Sequence, residues 1–301
     1  MIPVFNAGQY LEQALVSVIQ QAPGPEVMEI VVVDDASNDI DVEGLVRRVG
    51  GDRVAYFRQP ANVGSLWNFH TCLTRARGLY VHLLHADDRV LPGYYAAMEM
   101  QLMKHPEAAA CFSRYRYVNG EGELMSVAQP EASSEGILLD WLERIATSNT
   151  VQYSAITVRR EIYERLGGFF GVTYGEDWEM WVRIASKYPI AYVPEPLAEY
   201  RIHEESISGA KLQSAQNVKD LAWVMRTIQH YLPQALRKRV WKASTAFCSR
   251  AALRHANSFW RRDGNKQAAR RQLFQAFLIH FDREICREAF RLYRDMMFNI
   301  R

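Results

Sequence analysis

The sequence predicts an α/β fold: a mostly parallel sheet with flanking helices, followed by a C-terminal α-helical subdomain. Three observations carry this. Short, continuously apolar β-rich runs alternate with segments of helical period over the first half of the chain. Almost no β-rich run remains after about residue 211. Two of the runs stop at adjacent carboxylates, and open parallel sheets bind ligands beyond the carboxyl ends of their strands.

Taken in order, Leu11–Gln20 has helical spacing, and Met28–Val33 (MEIVVV) is an apolar run suited to a parallel strand covered on both faces. Val42–Val49 reads as a helix, Val54–Phe57 as a strand, Leu66–Arg77 as a helix and Leu79–Leu84 as a strand. That alternation argues for βαβ units. Ala109–Tyr117 reads as a further strand, and Asn119–Gly136 as a mobile loop. Ile137–Ile145 is a short helix, Ser154–Val158 a strand and Glu176–Lys187 a helix. Ile190–Val193 and Leu197–Tyr200 are two short strands. Ala215–Tyr231, Gln234–Ala256, Gln267–Phe281 and Glu284–Phe298 are helices, with breaks near Pro233, Asp263-Gly264 and Asp282. The division expected is a domain over 1–209 and a helical region over 210–301.

The 301 residues are 49% hydrophobic and 23% charged, which excludes disorder, collagen or a coiled-coil rod for the whole chain. The net charge of +2 hides an asymmetry. Residues 1–209 hold 17 Lys and Arg against 28 Asp and Glu, whereas residues 210–301 hold 19 against 6. An acidic body with a basic tail points to a partner for the tail. Cys72, Cys111, Cys248 and Cys286 form no CxxC pair and read as reduced thiols. No apolar run reaches the length of a membrane span and no signal peptide is visible. A cytoplasmic location is expected, with peripheral contact at the inner face of a membrane open.

The first apolar strand ends in Asp34-Asp35-Ala36-Ser37-Asn38-Asp39. An aspartate there can accept from a base N–H or from ribose hydroxyls, while Ser37 or Asp39 can cap the next helix. Leu79–Leu84 ends in His85-Ala86-Asp87-Asp88. Hard divalent cations bind through one or two carboxylates plus substrate phosphates, and a polar turn before Pro92 is the plainer alternative. Gly175-Glu176-Asp177-Trp178-Glu179 opens a helix, where acids are favoured by the dipole and where one carboxylate can also serve as a general base. Tyr200-Arg201-Ile202-His203, with Ser206 beyond, follows a short strand.

In their order these elements resemble the glycosyltransferase family 2 pattern of the inverting GT-A fold. Ile2-Pro3-Val4-Phe5-Asn6 is similar to its opening P-x-[YF]-N, and Val33-Asp34-Asp35-Ala36-Ser37 to its V-D-D-x-S element. Asn62-Val63-Gly64 with Asn68 resembles its N-x-G…N segment, and Ala86-Asp87-Asp88 its DxD-type metal motif. Glu176-Asp177 with Arg183 resembles its E-D…R element, and Tyr200-Arg201-x-His203-x-x-Ser206 its closing Y-R-x-H-x-x-S. Three departures stand out. The apolar residues before Ile2-Pro3 are absent, so strand one is expected to be cut short, with the true start upstream or a start codon misassigned. His85 stands where a D-x-D-D form begins. The tail matches no part of the pattern.

The resemblance implies transfer of a sugar from a nucleotide-diphosphate donor, a UDP-sugar first, to an acceptor hydroxyl with inversion. It assigns donor binding to Pro3, Phe5, Asn6, Asp34, Asp35, Asn62, Gly64, Asn68 and Asp87. It assigns Mg²⁺ or Mn²⁺ to Asp87 and Asp88, with His203 as a further ligand or diphosphate contact. Asp177 is the implied catalytic base. Glu176, Trp178, Arg183, Arg201 and Ser206 fall on the acceptor or diphosphate side, Trp178 packing the acceptor sugar. The Asn119–Gly136 loop is then a lid that orders on donor binding. The acceptor is a saccharide or a lipid-linked saccharide, in cell-surface polysaccharide or glycolipid synthesis. The alternative is a catalytically silent nucleotide-sugar-binding or scaffold protein of the same fold. The Arg clusters of 210–301 suit an anionic membrane surface or a solvated helical face; no nucleic-acid-binding motif appears.

Overall fold

The computed structural model describes residues 1–203 and 206–300. The chain forms two compact units that do not part at residue 209. The first comprises 1–141, 150–170 and 187–202; the second comprises 142–149, 171–186 and 203–301.

The first unit begins with three parallel strands, β1 (Ile2–Val4), β2 (Ile30–Asp34) and β3 (Val54–Arg58), in the order β1-β2-β3. All five residues of β2 are buried, as a strand covered on both faces requires. Short as it is, β1 pairs with β2 along its whole length, Val4 opposite Asp34. β4 (Tyr80–His82) continues from β1: the Met1 amine donates to His82 O at 2.9 Å and the Leu84 amide to Met1 O at 3.0 Å.

The remaining strands are β5 (Arg89–Val90), β6 (Ala110–Val118), β7 (Leu124–Val127), β8 (Gly136–Ile137), β9 (Ile156–Arg159) and β10 (Ile190–Arg201). They form a second sheet with order β4-β9-β6-β10-β5, β7 pairing with β6 and β8 with β10. Among the described residues, only β6 and β10 run parallel in it; the other pairs are antiparallel.

The helices are α1 (Gly8–Ile19), α2 (Val42–Gly50), α3 (Ser65–Arg75), α4 (Tyr94–Lys104), α5 (Trp141–Thr147), α6 (Arg160–Leu166), α7 (Glu176–Ala185), α8 (Ile207–Ser214), α9 (Gln216–Ile228), α10 (Gln234–Arg261), α11 (Lys266–Ile279) and α12 (Arg283–Met297). Leu11 and Leu15 of α1, Val42 and Val46 of α2 and Met98 of α4 join Ile2, Val4 and Val32 in one core. In the second unit, Ala252 and Trp260 of α10, Leu273 of α11 and Ile285 and Leu292 of α12 form another.

Several expectations are corrected. The stretch 119–136 is no open loop, since β7 lies within it and Asn119–Gly122 closes as a turn. The two short strands at 190–200 are one strand, with register shifts on either side of Pro196. Proline has no N–H for the ladder, so the strand bulges there without ending. The helix expected over 215–231 begins earlier and breaks at Ala215, whose φ of 58° separates α8 from α9. The capping role expected of Ser37 or Asp39 falls to Asp41, whose carboxylate accepts from Gly44 N at 2.9 Å. Ser37 Oγ instead accepts from Asn6 N, and Asp39 from Gly8 N at the start of α1.

Candidate active site

At the carboxyl edge of β1-β2-β3, strand ends and the turns after them carry the expected donor-binding residues. Pro3 is buried within β1, and Phe5 beyond it is 48% exposed. Asn6 takes a positive φ of 48°, and its Oδ1 accepts from Asn38 N at 2.9 Å, so β1 and β2 end in a shared turn. Asp34 is fully buried. It accepts from Ser37 N at 2.9 Å, Tyr56 Oη at 2.7 Å and Arg58 at 2.5 Å. Those bonds make it a brace between β2 and β3. Asp35 receives the amides of Val63 at 2.8 Å and Gly64 at 3.0 Å, which fixes the turn into α3. Asn62 Oδ1 also accepts from Gly64 N. Gly64 has φ 84°, a conformation glycine adopts without a Cβ clash. Asn68 is buried and ties α3 to β2 through Val33 O at 3.0 Å. Asn6, Asp34, Asp35, Asn62 and Asn68 thus line this edge, and much of their hydrogen bonding shapes the edge itself.

Beyond β4, His85, Asp87 and Asp88 place one ligand atom each within 4.8 Å of one another. Asp88 is 2% exposed; its Oδ1 accepts from Arg201 N at 2.9 Å. Its Oδ2 is buried without a hydrogen bond of normal geometry, although the Ser154 hydroxyl favours its charge. Burial, then repulsion from Asp87, pushes the Asp88 carboxyl well above the usual range. A divalent cation would offset this repulsion, and one imidazole nitrogen with two carboxylates is a donor set that fits Mn²⁺ or Mg²⁺. The His85 ring packs against both Phe69 and Tyr153, with centroids at 5.2 and 4.4 Å, the three rings forming one cluster. Burial holds its pKa down and so keeps it in the neutral, ligating form.

Arg201, expected on the diphosphate side, is 2% exposed and turned inward. Its Nε donates to Asp87 O at 2.8 Å, one terminal nitrogen to Gly120 O at 2.8 Å and the other to Gln13 Oε1 at 2.8 Å. Its guanidinium also sits 4.6 Å from the Tyr10 ring centre. Together with the main-chain bond to Asp88, Arg201 braces the carboxylate turn.

In the second unit, Gly175 caps α7 at φ 88° and puts Glu176 and Asp177 in its first turn. Both are largely buried. Asp177 accepts from Asn149 Nδ2 at 2.8 Å and from the Trp178 amide at 2.7 Å. Burial pushes its pKa up to about 6 against these two donors. That value suits a general base working near neutral pH. Trp178 is 1% exposed and donates to Ile145 O at 2.5 Å. It is a core residue and has no face to offer an acceptor sugar, which corrects that expectation. Arg183 pairs with Glu179 at 2.8 Å, both buried, and Tyr231 Oη donates to Glu179 at 2.6 Å. Glu179 therefore ties α7 to the turn after α9, and Arg183 balances its charge from one turn along α7. Ser206 caps α8 by accepting from Gly209 N and donates to His203 O at 2.9 Å.

The sequence reading missed two residues here. His85 belongs to the metal-donor cluster, and its place beside Asp87-Asp88 was the signal. Asn149, the partner of Asp177, carries no signal, since it lies 28 residues away in an unremarked polar stretch.

Comparison with known proteins gives the family and the fold. The family model of glycosyl transferase family 2 matches residues 1–167. An uncharacterized glycosyltransferase of Haemophilus influenzae is 24% identical over 216 residues, 69% of this chain and 66% of that one. The chain spans between 58% and 74% of the length of four mycobacterial relatives. S. aureus TarS 1-349, solved in complex with UDP-GlcNAc, superposes with a TM-score of 0.66 at 15% identity, covering 99% of this chain and 88% of that one. The mannosyltransferase PcManGT of Pyrobaculum calidifontis, solved with GDP-Man and Mn²⁺, gives 0.58 at 19%, covering 92% and 84%. These structural likenesses show the fold, the GT-A type.

Proposed function

The chain belongs to glycosyl transferase family 2, and from that premise we propose that it is an inverting, metal-dependent transferase moving a sugar from a nucleotide-diphosphate donor to an acceptor hydroxyl. The observation that carries the reading is the cluster of His85, Asp87 and Asp88 with its orphaned buried carboxylate oxygen. Asp87, Asp88 and His85 would hold the cation. A divalent cation there supplies neutralisation of the charge that grows on the diphosphate as the C–O bond breaks.

The protein's own groups do the rest. Phe5, Asp35 and the 62–64 turn bind base and ribose. Asp177 takes the acceptor proton while the acceptor oxygen bonds to the anomeric carbon and the nucleoside diphosphate leaves. One base suffices for a single displacement, unlike the carboxyl pair of most glycoside hydrolases. A UDP-sugar is the first donor to test, in line with the UDP-GlcNAc complex of TarS. A saccharide or lipid-linked acceptor in cell-surface polysaccharide or glycolipid synthesis, at the cytoplasmic face, completes the reading. Two observations support the enzyme over a silent protein of the same fold: β1 pairs with β2 along its whole length, and His85 lies with two carboxylates that could hold a metal.

The test is nucleotide release with Mn²⁺ across UDP- and GDP-sugars, parent against Asp177→Asn. Turnover is expected to vanish with donor binding kept. Unchanged turnover removes Asp177 as base.

A further inference from the structure

Helices α11 and α12 each bury one face and leave an organised one open. Leu273, Ala276, Ile285, Ala289 and Leu292 are packed in the core of the second unit. On the outer side of α12, Phe290, Tyr293 and Met297 are 71%, 45% and 56% exposed. At about 100° per residue these three fall within roughly 60° of the helix circumference. Arg283, Arg287 and Arg291 fill roughly the next 80°, and Glu284 and Glu288 lie farther round. α11 repeats the arrangement: Phe274 and Leu278 are 62% and 63% exposed on the face that also carries Arg270 and Arg271. Among the described residues, none of these five arginines has a carboxylate partner.

We propose that this face docks on an anionic lipid bilayer, the apolar side chains entering the headgroup boundary and the arginines meeting lipid phosphates. Exposed aromatic and aliphatic residues beside unpaired cations are the two components of interfacial binding. A second copy of the chain fits poorly, because a self-complementary contact would set arginine against arginine. No helix of the described residues is long and apolar enough to cross a membrane, so the contact is a surface one. It would hold the enzyme where lipid-linked acceptors lie, but it does not depend on the donor reading.

Vesicle flotation tests it, with phosphatidylcholine alone or mixed with about one-third phosphatidylglycerol, at roughly 50 and 500 mM salt. The full chain is expected to float with the anionic vesicles at low salt, weakly at high salt, and not with neutral ones. Replacing Arg283, Arg287 and Arg291 together by Gln is expected to weaken partitioning on the order of a hundredfold. Phe290→Ser with Met297→Ser should weaken it at least about tenfold. Unchanged circular dichroism confirms that these exposed substitutions leave the fold intact. A parent that does not float with anionic vesicles overturns the proposal, as does binding that neither variant weakens. A dimer broken by Phe290→Ser, without lipid binding, would instead assign the face to a second copy. Flotation reads lipid alone, so its failure is separate from failure of the donor assay.

Discussion

Replacing Asn149 by Ala probes the electrostatics of the expected base. Burial drives the Asp177 carboxyl upward, and the Asn149 and Trp178 donors hold it to about 6. A hydrogen bond to a charged group is worth about 1.5–3 kcal/mol, and one pKa unit corresponds to about 1.4 kcal/mol. Losing the Asn149 amide therefore raises the carboxyl by about one to two units. If Asp177 accepts the acceptor proton, only its ionised form turns over, and the parent rate falls along an acid limb centred near 6. In Asn149→Ala that limb moves up, so the rate near pH 6 drops roughly tenfold while the two enzymes converge near pH 9. Nucleotide release at saturating donor, scanned over about pH 5 to 9, measures this. A limb that stays in place in Asn149→Ala, or one that survives with turnover in Asp177→Asn, refutes the reasoning. Stability follows the same shift. A carboxyl raised on folding contributes fully below its unfolded value, and the contribution is lost as pH rises through about 6. The charged form costs roughly 3 kcal/mol above that range, so Asp177→Asn is expected to raise the melting temperature near pH 8 and hardly at pH 4.

Three further outcomes follow from the geometry. Trp178→Ala is expected to cost about 3–5 kcal/mol in urea unfolding, as loss of a core indole does; an intact midpoint with a raised acceptor KM would return Trp178 to the acceptor side. Arg201→Lys keeps the charge but loses the fork to Asp87, Gly120 and Gln13, costing about 3 kcal/mol and raising the Mn²⁺ concentration for half-maximal turnover. A thermal melt and a metal titration read the two effects, and an unmoved titration removes the bracing role. His85→Asn is expected to weaken Mn²⁺ binding, followed by electron paramagnetic resonance, by about tenfold or more; chelation of the parent should abolish nucleotide release and added Mn²⁺ restore it.

The sheet edge was legible because its chemistry is local. A run such as Ile30–Val33 can only be a buried strand, and the carboxylates after it must then lie at its end. The helices of the tail were legible for the same reason, from period and breakers. What was not legible depends on distant partners. Trp178 stands among acids in a first helical turn and reads as exposed; only Ile145, 33 residues earlier, makes it core. Arg201 reads as a phosphate contact until Gln13, 188 residues away, accepts its side chain. Pro194 and Pro196 read as strand ends, whereas pairing with β6 carries β10 past them.

The chain crosses between its two compact units five times, and the segment bearing Asp177 belongs with residues 203–301. Synthesis is vectorial, so α7 leaves the ribosome well before Tyr231, which satisfies Glu179, and before the core of α10–α12 exists. At about 5–20 residues per second, roughly 115 residues must follow Ser186, a delay of about 6–23 s. During that interval the Glu179–Arg183 pair lacks the Tyr231 hydroxyl and α7 lacks its packing against α9. Chaperone demand should therefore concentrate on the nascent chain between residues 186 and 301, and a C-terminal truncation would yield an insoluble product, not a smaller enzyme.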